Sequence, residues 1–173
     1  MPDRENRPAA TLEVAKLSIL EKINKALADL GSTAKWKRAP AYLEGYEPLR
    51  GKTVVMVDDI VAVLENFLPN LMVATDGNAL FVRYQGEPLK ELINKILEAN
   101  PDLVILDYHL SEQLKGAAVL RALMDQDFSG AAIGFSSDSQ ASKEFMAAGA
   151  MGTVDKGTDE PEVSVENIAK IIV

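Results

Sequence analysis

The chain of 173 residues contains no cysteine and only one histidine, His109. The absence of cysteine excludes disulfide bonds, zinc–thiolate sites, cysteine-ligated iron–sulfur clusters and thiol nucleophiles. A single histidine excludes a metal site built from several imidazoles. The sequence also lacks an apolar run of about 18 residues, so it predicts no membrane-spanning helix.

Basic residues are outnumbered by acidic ones, which gives a net charge of −8 and a pI near 4.7. This balance argues against a nucleic-acid partner, because direct binding usually needs a basic patch. The first ten residues are polar, include Pro2 and Pro8, and have no signal-peptide pattern. We therefore expect a cytoplasmic protein with neither a nucleic-acid nor a membrane partner, and one domain with an appendage.

The appendage begins with a predicted helix over residues 11–30, with Thr11 as N-cap and Gly31 as the terminating residue. An apolar stripe recurs at helical spacing. Its main members are Leu20, Ile23, Leu27 and Leu30. So apolar a stripe must either cover the main domain or pair with a second chain, which leaves a homodimer through this helix open.

Residues 32–52 show no periodicity and are interpreted as a linker. This stretch contains the run Lys35-Trp36-Lys37-Arg38. Because the run is short and the protein is acidic, we interpret it as a solvated linker rather than a phosphate or membrane contact. Trp36 is expected to pack on the adjacent domain.

From residue 51 onward, predicted strands and helices alternate. Strands are predicted over residues 53–57, 71–75, 79–84, 103–106, 131–135 and 152–155. Helices are predicted over residues 61–67, 88–99, 114–124, 139–148 and 165–172. Pro69 should end the first of these helices, and Asp76-Gly77 indicates a hairpin between the second and third strands. This order predicts a doubly wound α/β fold with a parallel sheet and helices on both faces.

Charged side chains follow several of the apolar strands. Asp58 and Asp59 follow the first strand, and Asp107 ends the run at residues 103–106. The carboxyl ends of parallel strands share one sheet edge, so these carboxylates should meet there with Lys156 and the Ser136 and Ser137 hydroxyls. Clustered carboxylates suit Mg²⁺, and lysine and hydroxyl groups suit a phosphoryl oxygen. This set favours phosphoryl transfer onto an aspartate.

These residues resemble the receiver domain of bacterial response regulators. The resemblance covers residues 51–173, which leaves residues 1–50 as a helical extension and linker. It rests on five motifs: Val57-Asp58-Asp59, the run from Asp102 to Asp107, Phe135-Ser136-Ser137, the Ala-Ala-Gly-Ala-Met-Gly turn at residues 147–152, and Lys156. The family fold is flavodoxin-like, with strand order 2-1-3-4-5. The predicted hairpin should add one antiparallel strand at its edge.

The resemblance implies a role for each site residue. Asp107 would accept the phosphoryl group, while Ser136 and Lys156 would bind phosphoryl oxygens. Mg²⁺ would be held by Asp58, Asp59, Asp107 and the backbone carbonyl of His109. A histidine kinase or phosphotransfer protein would supply the phosphate, and a downstream protein would receive the signal. The domain would catalyse at most its own phosphorylation from a phosphodonor and its own dephosphorylation.

Two departures from the family pattern keep an alternative open. Thr153 stands where the family usually has an aromatic switch residue, and Gly157 stands where a proline usually follows the lysine. A degenerate receiver could serve instead as a phosphorylation-independent interaction or oligomerisation module. A metal-dependent phosphatase with Asp58 as nucleophile ranks last, because such enzymes favour an Asp-x-Asp spacing that the adjoining Asp58 and Asp59 do not provide.

Overall fold

Five parallel strands form the central sheet of the computed structural model, which describes residues 17–156 and 160–173. The strands are β1 (Val54–Asp58), β2 (Ala79–Arg83), β3 (Leu103–Asp107), β4 (Ala131–Phe135) and β5 (Gly152–Val154). Their order is β2-β1-β3-β4-β5, and every neighbouring pair is parallel. The predicted flavodoxin-like sheet is therefore confirmed.

Helices cover both faces of this sheet. They are α1 (Ile19–Asp29), α2 (Val61–Ala74), α3 (Leu89–Glu98), α4 (Gly116–Met124), α5 (Ser139–Ala148) and α6 (Pro161–Ile171), with a 3₁₀ helix at Glu44–Leu49. Side chains alternate along β1, so Val55 and Val57 pack against α3, α4 and α5, whereas Val54 and Met56 pack against the remaining helices. Burial on both faces explains why the central strands are continuous apolar runs.

The N-terminal helix α1 packs within the same chain. Ser18 and Glu21 form a capping box that fixes its first turn, and Ile23 and Leu27 are fully buried against the core that contains α2. The structure thus shows the intramolecular alternative for the apolar stripe. The predicted N-cap, Thr11, lies outside the described residues.

Part of the predicted linker is also structured. Residues Glu44–Leu49 form the 3₁₀ helix, in which Tyr46 and Leu49 are fully buried. The Tyr46 hydroxyl donates a hydrogen bond to Asn70 Oδ1 of α2 at 3.1 Å, and burial raises the pKa of Tyr46 to about 12. We call α1 and this 3₁₀ helix together the helical cap, since both cover α2.

The prediction for residues 61–75 is wrong at its second half. Helix α2 continues through Pro69 to Ala74, so the predicted strand at residues 71–75 does not form. Pro69 removes one backbone hydrogen bond, at a cost of about 3 kcal/mol in a helix interior. Every residue from Phe67 to Ala74 is buried, and all but Asn70 are apolar. Packing of these apolar side chains beneath the helical cap outweighs that cost.

The hairpin and the extra antiparallel edge strand are therefore wrong as well. Asp76 and Gly77 adopt left-handed conformations, with φ of 55° and 84°, and Gly77 N–H donates to the Met72 carbonyl at 2.7 Å. This is a helix C-terminal motif. Left-handed residues serve helix ends and hairpin turns alike, so the Asp-Gly pair alone could not separate the two.

Candidate functional site

Three carboxylates meet at the carboxyl edge of the sheet. Asp58 and Asp107 end the neighbouring strands β1 and β3, whose Val57 and Leu106 are paired in register. Asp59 follows directly, and one carboxylate oxygen from each of the three aspartates lies within 4.8 Å of the others. Asp58 is fully buried and Asp107 is 4% exposed. The expected proximity of these residues is thus observed.

Lys156 joins this cluster from the end of β5, the outermost strand of the sheet on that side. Its Nζ lies 2.7 Å from Asp58 Oδ2 and 2.7 Å from Asp107 Oδ1. Lys156 follows β5, two strands away from β3, and its ammonium reaches across the ring of Phe135 at 5.6 Å from the ring centroid. We call Asp58, Asp59, Asp107 and Lys156 the acidic pocket.

Burial sets the electrostatics of the acidic pocket. It raises the pKa of Asp58 to about 6, with a further contribution from the Asp107 charge and partial compensation by Lys156. Burial and the Asp59 charge likewise raise the pKa of Asp107, again against the effect of Lys156. For Lys156, burial favours the neutral amine, but hydrogen bonds to Asp107 and Asp58 outweigh it and raise the pKa. The pocket therefore holds more negative charge than one ammonium can balance.

The donor set fits a hard divalent cation. Asp59 Oδ1 is buried and has no hydrogen-bond partner among residues 17–156 and 160–173. Asp58 Oδ1 accepts a hydrogen bond from the Ile60 N–H at 2.9 Å, which fixes the orientation of that carboxylate. Oxygen-rich, negatively charged clusters of this kind bind Mg²⁺ or Ca²⁺. Asp58, Asp59 and Asp107 could hold such an ion.

Ser136 lies at the same edge, directly after β4. Phe135 pairs in register with Asp107, so the next residue stands beside the end of β3. Ser136 Oγ accepts a hydrogen bond from the Asp138 N–H at 3.1 Å, and the Ser136 N–H donates to the Val154 carbonyl at 3.1 Å. Since its oxygen is an acceptor in this turn, the hydroxyl proton is available for a further acceptor. Ser137 is exposed.

The side chain of His109 lies between the loops that follow β3 and β4. Its Nδ1 is 2.8 Å from Lys115 Nζ, and its Nε2 is 4.0 Å from Asp138 Oδ2. The imidazole also contacts the Tyr108 ring edge-on, with ring centroids 4.5 Å apart. These contacts hold the imidazole beside the loops that follow β3 and β4.

Two features near the pocket were not foreseen. A Cβ at Gly116 would overlap the Asp107 carbonyl oxygen, so only glycine lets α4 begin this close to the end of β3. Thr153 Oγ1 lies 2.9 Å from Ser142 Oγ, a hydroxyl pair that joins β5 to α5. Neither contact has a local sequence pattern, since each joins residues that belong to different elements of the fold. Gly157 lies outside the described residues.

No family model and no curated protein matches the sequence. Solved structures do match. A two-component response regulator of the LuxR family from Aurantimonas sp. SI85-9A1 is 24% identical, with a TM-score of 0.54 over 69% of this chain and 83% of that one. The BeF3-activated DrrB receiver domain is 19% identical, with a TM-score of 0.55 over 70% and 97%.

A DNA-binding response regulator of the LuxR family from Staphylococcus aureus gives a TM-score of 0.57 at 18% identity, over 70% of this chain and 99% of that one. Identities this low establish a shared fold, and the chain has the fold of these receiver structures. Separately, none of the helices within residues 17–156 and 160–173 has the length and apolar content that crossing a bilayer requires.

Proposed function

We propose that the chain is a response regulator receiver that accepts a phosphoryl group on Asp107. The observation that carries this proposal is the contact of one ammonium, Lys156 Nζ, with both Asp58 and Asp107 at 2.7 Å, inside a cluster of three carboxylates. A structural ion pair would need one carboxylate for one lysine. Three buried or half-buried carboxylates are costly to keep, and such sites are typical of function.

The chemistry follows from this arrangement. A carboxylate oxygen of Asp107 attacks the phosphorus of the donor, and the bond from phosphorus to the leaving group breaks as the leaving group takes the electron pair. Lys156 stays beside Asp107 and pairs with a phosphoryl oxygen, while the Ser136 hydroxyl donates to another. Mg²⁺ would be held by Asp58, Asp59, Asp107 and the His109 carbonyl, and when bound it would offset negative charge on the phosphoryl group.

The biological setting belongs to the same proposal. A histidine kinase or phosphotransfer protein supplies the phosphate, and a downstream protein partner senses the change at Ser136 and the adjacent helix α5. Residues 51–173 form the receiver, and residues 1–50 form the extension. The matched structures cover about 70% of this chain, a share that residues 51–173 would fill. The proposed location is the cytoplasm.

Incubation with acetyl phosphate tests the proposal directly. In the presence of Mg²⁺, the intact mass of the wild-type protein should rise by one phosphoryl group, and chelation of Mg²⁺ should abolish the increase. Asp107→Asn should remain unmodified, because an amide cannot act as the acceptor. Glu112→Gln, which removes an exposed carboxylate from the loop after β3, should be modified like wild type.

An unmodified wild-type protein, or an adduct that persists in Asp107→Asn, would contradict phosphorylation at this residue. The hydroxyl pair of Thr153 and Ser142 favours a second candidate, a phosphorylation-independent interaction or oligomerisation module. Thr153 lies in β5 at the position where the family usually has an aromatic switch residue. In that case Asp107→Asn and wild type would bind partners equally after acetyl phosphate treatment.

A further inference from the structure

Residues 35–38 form a cationic loop, Lys35-Trp36-Lys37-Arg38, in which all four residues are exposed. The surrounding residues 31–43 contain no aspartate or glutamate. In the described part of the chain, Lys35, Lys37 and Arg38 take part in none of the ion pairs. The loop therefore concentrates unpaired positive charge on an otherwise acidic protein.

The cationic loop is fixed to the body of the protein by Asn24 of α1. The Trp36 N–H donates to Asn24 Oδ1 at 2.8 Å, and Asn24 Nδ2 donates to the Trp36 carbonyl at 3.0 Å. Asn24 follows the fully buried Ile23, so the clamp rests on a helix anchored in the core. A loop that is already ordered loses less conformational entropy when it binds a partner.

Trp36 is only partly covered by the rest of the chain, since 38% of its residue surface is exposed. Exposed tryptophan next to arginine is the composition found in the energetic centres of protein interfaces. Arg38 adds a planar guanidinium that can bind a carboxylate with two hydrogen bonds, and the two lysines add point charges. The loop thus offers one apolar contact surrounded by carboxylate-binding groups.

We propose that the cationic loop binds a short acidic segment of a protein partner. The chain has a net charge of −8, so the residues outside the loop carry −11 once its three cations are set aside. A long polyanion such as nucleic acid, or an anionic lipid surface, extends well beyond the Debye length of about 8 Å and would meet that negative body. A short acidic segment can contact the loop alone.

Fluorescence provides a direct test because Trp36 is the only tryptophan of the chain. Titration of the full-length protein with a short synthetic peptide of alternating glutamate and leucine should change the tryptophan emission saturably. Affinity should fall as salt is added. Replacement of Lys35, Lys37 and Arg38 by serine should weaken binding at least about tenfold, the equivalent of about 1.4 kcal/mol.

A matched control removes the same amount of charge elsewhere. Lys90, Lys143 and Lys170 are exposed lysines on α3, α5 and α6, and their replacement by serine should leave the affinity for the peptide within about twofold of wild type. Equal weakening in both triple variants would overturn the proposal, because only net charge would then matter. An unchanged emission on addition of the peptide to wild type would overturn it as well.

Two further titrations separate the classes of partner. If phosphatidylserine–phosphatidylcholine vesicles or oligothymidylate change the Trp36 emission at lower concentration than the peptide, the occupant belongs to that class and the proposal is overturned. Asp107→Asn should bind the peptide like wild type, since the loop does not depend on the acidic pocket. Failure of this proposal is therefore distinguishable from failure of the proposed phosphorylation.

Discussion

The helical cap and the acidic pocket bury their residues for opposite reasons. The cap removes the apolar side chains Ile23 and Leu27 from water. The pocket removes the carboxylates of Asp58 and Asp107 from water, with a single lysine between them. Burial of apolar surface stabilises the fold, whereas burial of excess charge destabilises it. Substitutions in the two regions should therefore change the free energy of unfolding with opposite sign.

The largest expected effect lies in the helical cap. Leu27→Ala should lower the free energy of unfolding by about 2–5 kcal/mol, because it leaves a cavity among fully buried neighbours. Urea denaturation measures this change. Lys25→Ala is the control on the same helix, since its exposed pair with Asp29 contributes under about 1 kcal/mol. If the two variants lost equal stability, the cap would not belong to the core.

The second expected effect is a gain in stability in the acidic pocket. Asp58→Asn should raise the free energy of unfolding of the metal-free protein at pH 7 by about 1–3 kcal/mol, because it removes a buried charge whose pKa is raised to about 6. Glu112→Gln, an exposed carboxylate, should change it by less than about 0.5 kcal/mol. A destabilised Asp58→Asn would mean that the ion pair with Lys156 outweighs the cost of burial.

The smallest effect is the pH dependence of that difference. The folded pKa of Asp58 lies above its ordinary value of 3.8, so the folded state binds the proton more tightly than the unfolded state. This group's contribution should therefore raise the stability of metal-free wild type as pH falls through about 6, and level off below about 4. Asp58→Asn lacks this contribution, so the gap between the two proteins should shrink over the same range. A gap that stays constant from pH 7 to pH 4 would contradict the raised pKa.

The sequence predicts where the carboxylates of the acidic pocket lie, but it does not predict how the helical cap packs on α2. Asp58 and Asp107 end apolar runs whose continuity predicts strands buried on both faces, and parallel strands bring their ends together whatever the loops do. The path of α2 through Pro69 depends instead on contacts with α1 and the 3₁₀ helix, which are distant along the chain. Local rules for proline and Asp-Gly could not include that burial.

The roles of the pocket residues remain predictions, although their positions are observed. The chain's matches to solved structures establish the fold that holds these residues. Thr153 forms a hydroxyl contact with Ser142 and has no ring that could rotate into the site as an aromatic switch would. A signal from the acidic pocket would therefore need another route to the surface. Phosphorylation and output can therefore be tested as separate properties.

The burial of Tyr46 and Leu49 has a practical consequence for fragments of this protein. A fragment that starts at residue 51 would contain all five strands and the whole pocket, yet it would leave the second half of α2 facing water. We expect such a fragment to aggregate or to need a detergent-like additive. We therefore expect the smallest unit that folds to be larger than the smallest unit that contains the proposed chemistry, and any transplant of this domain into another protein should carry the segment from Ser18 onward.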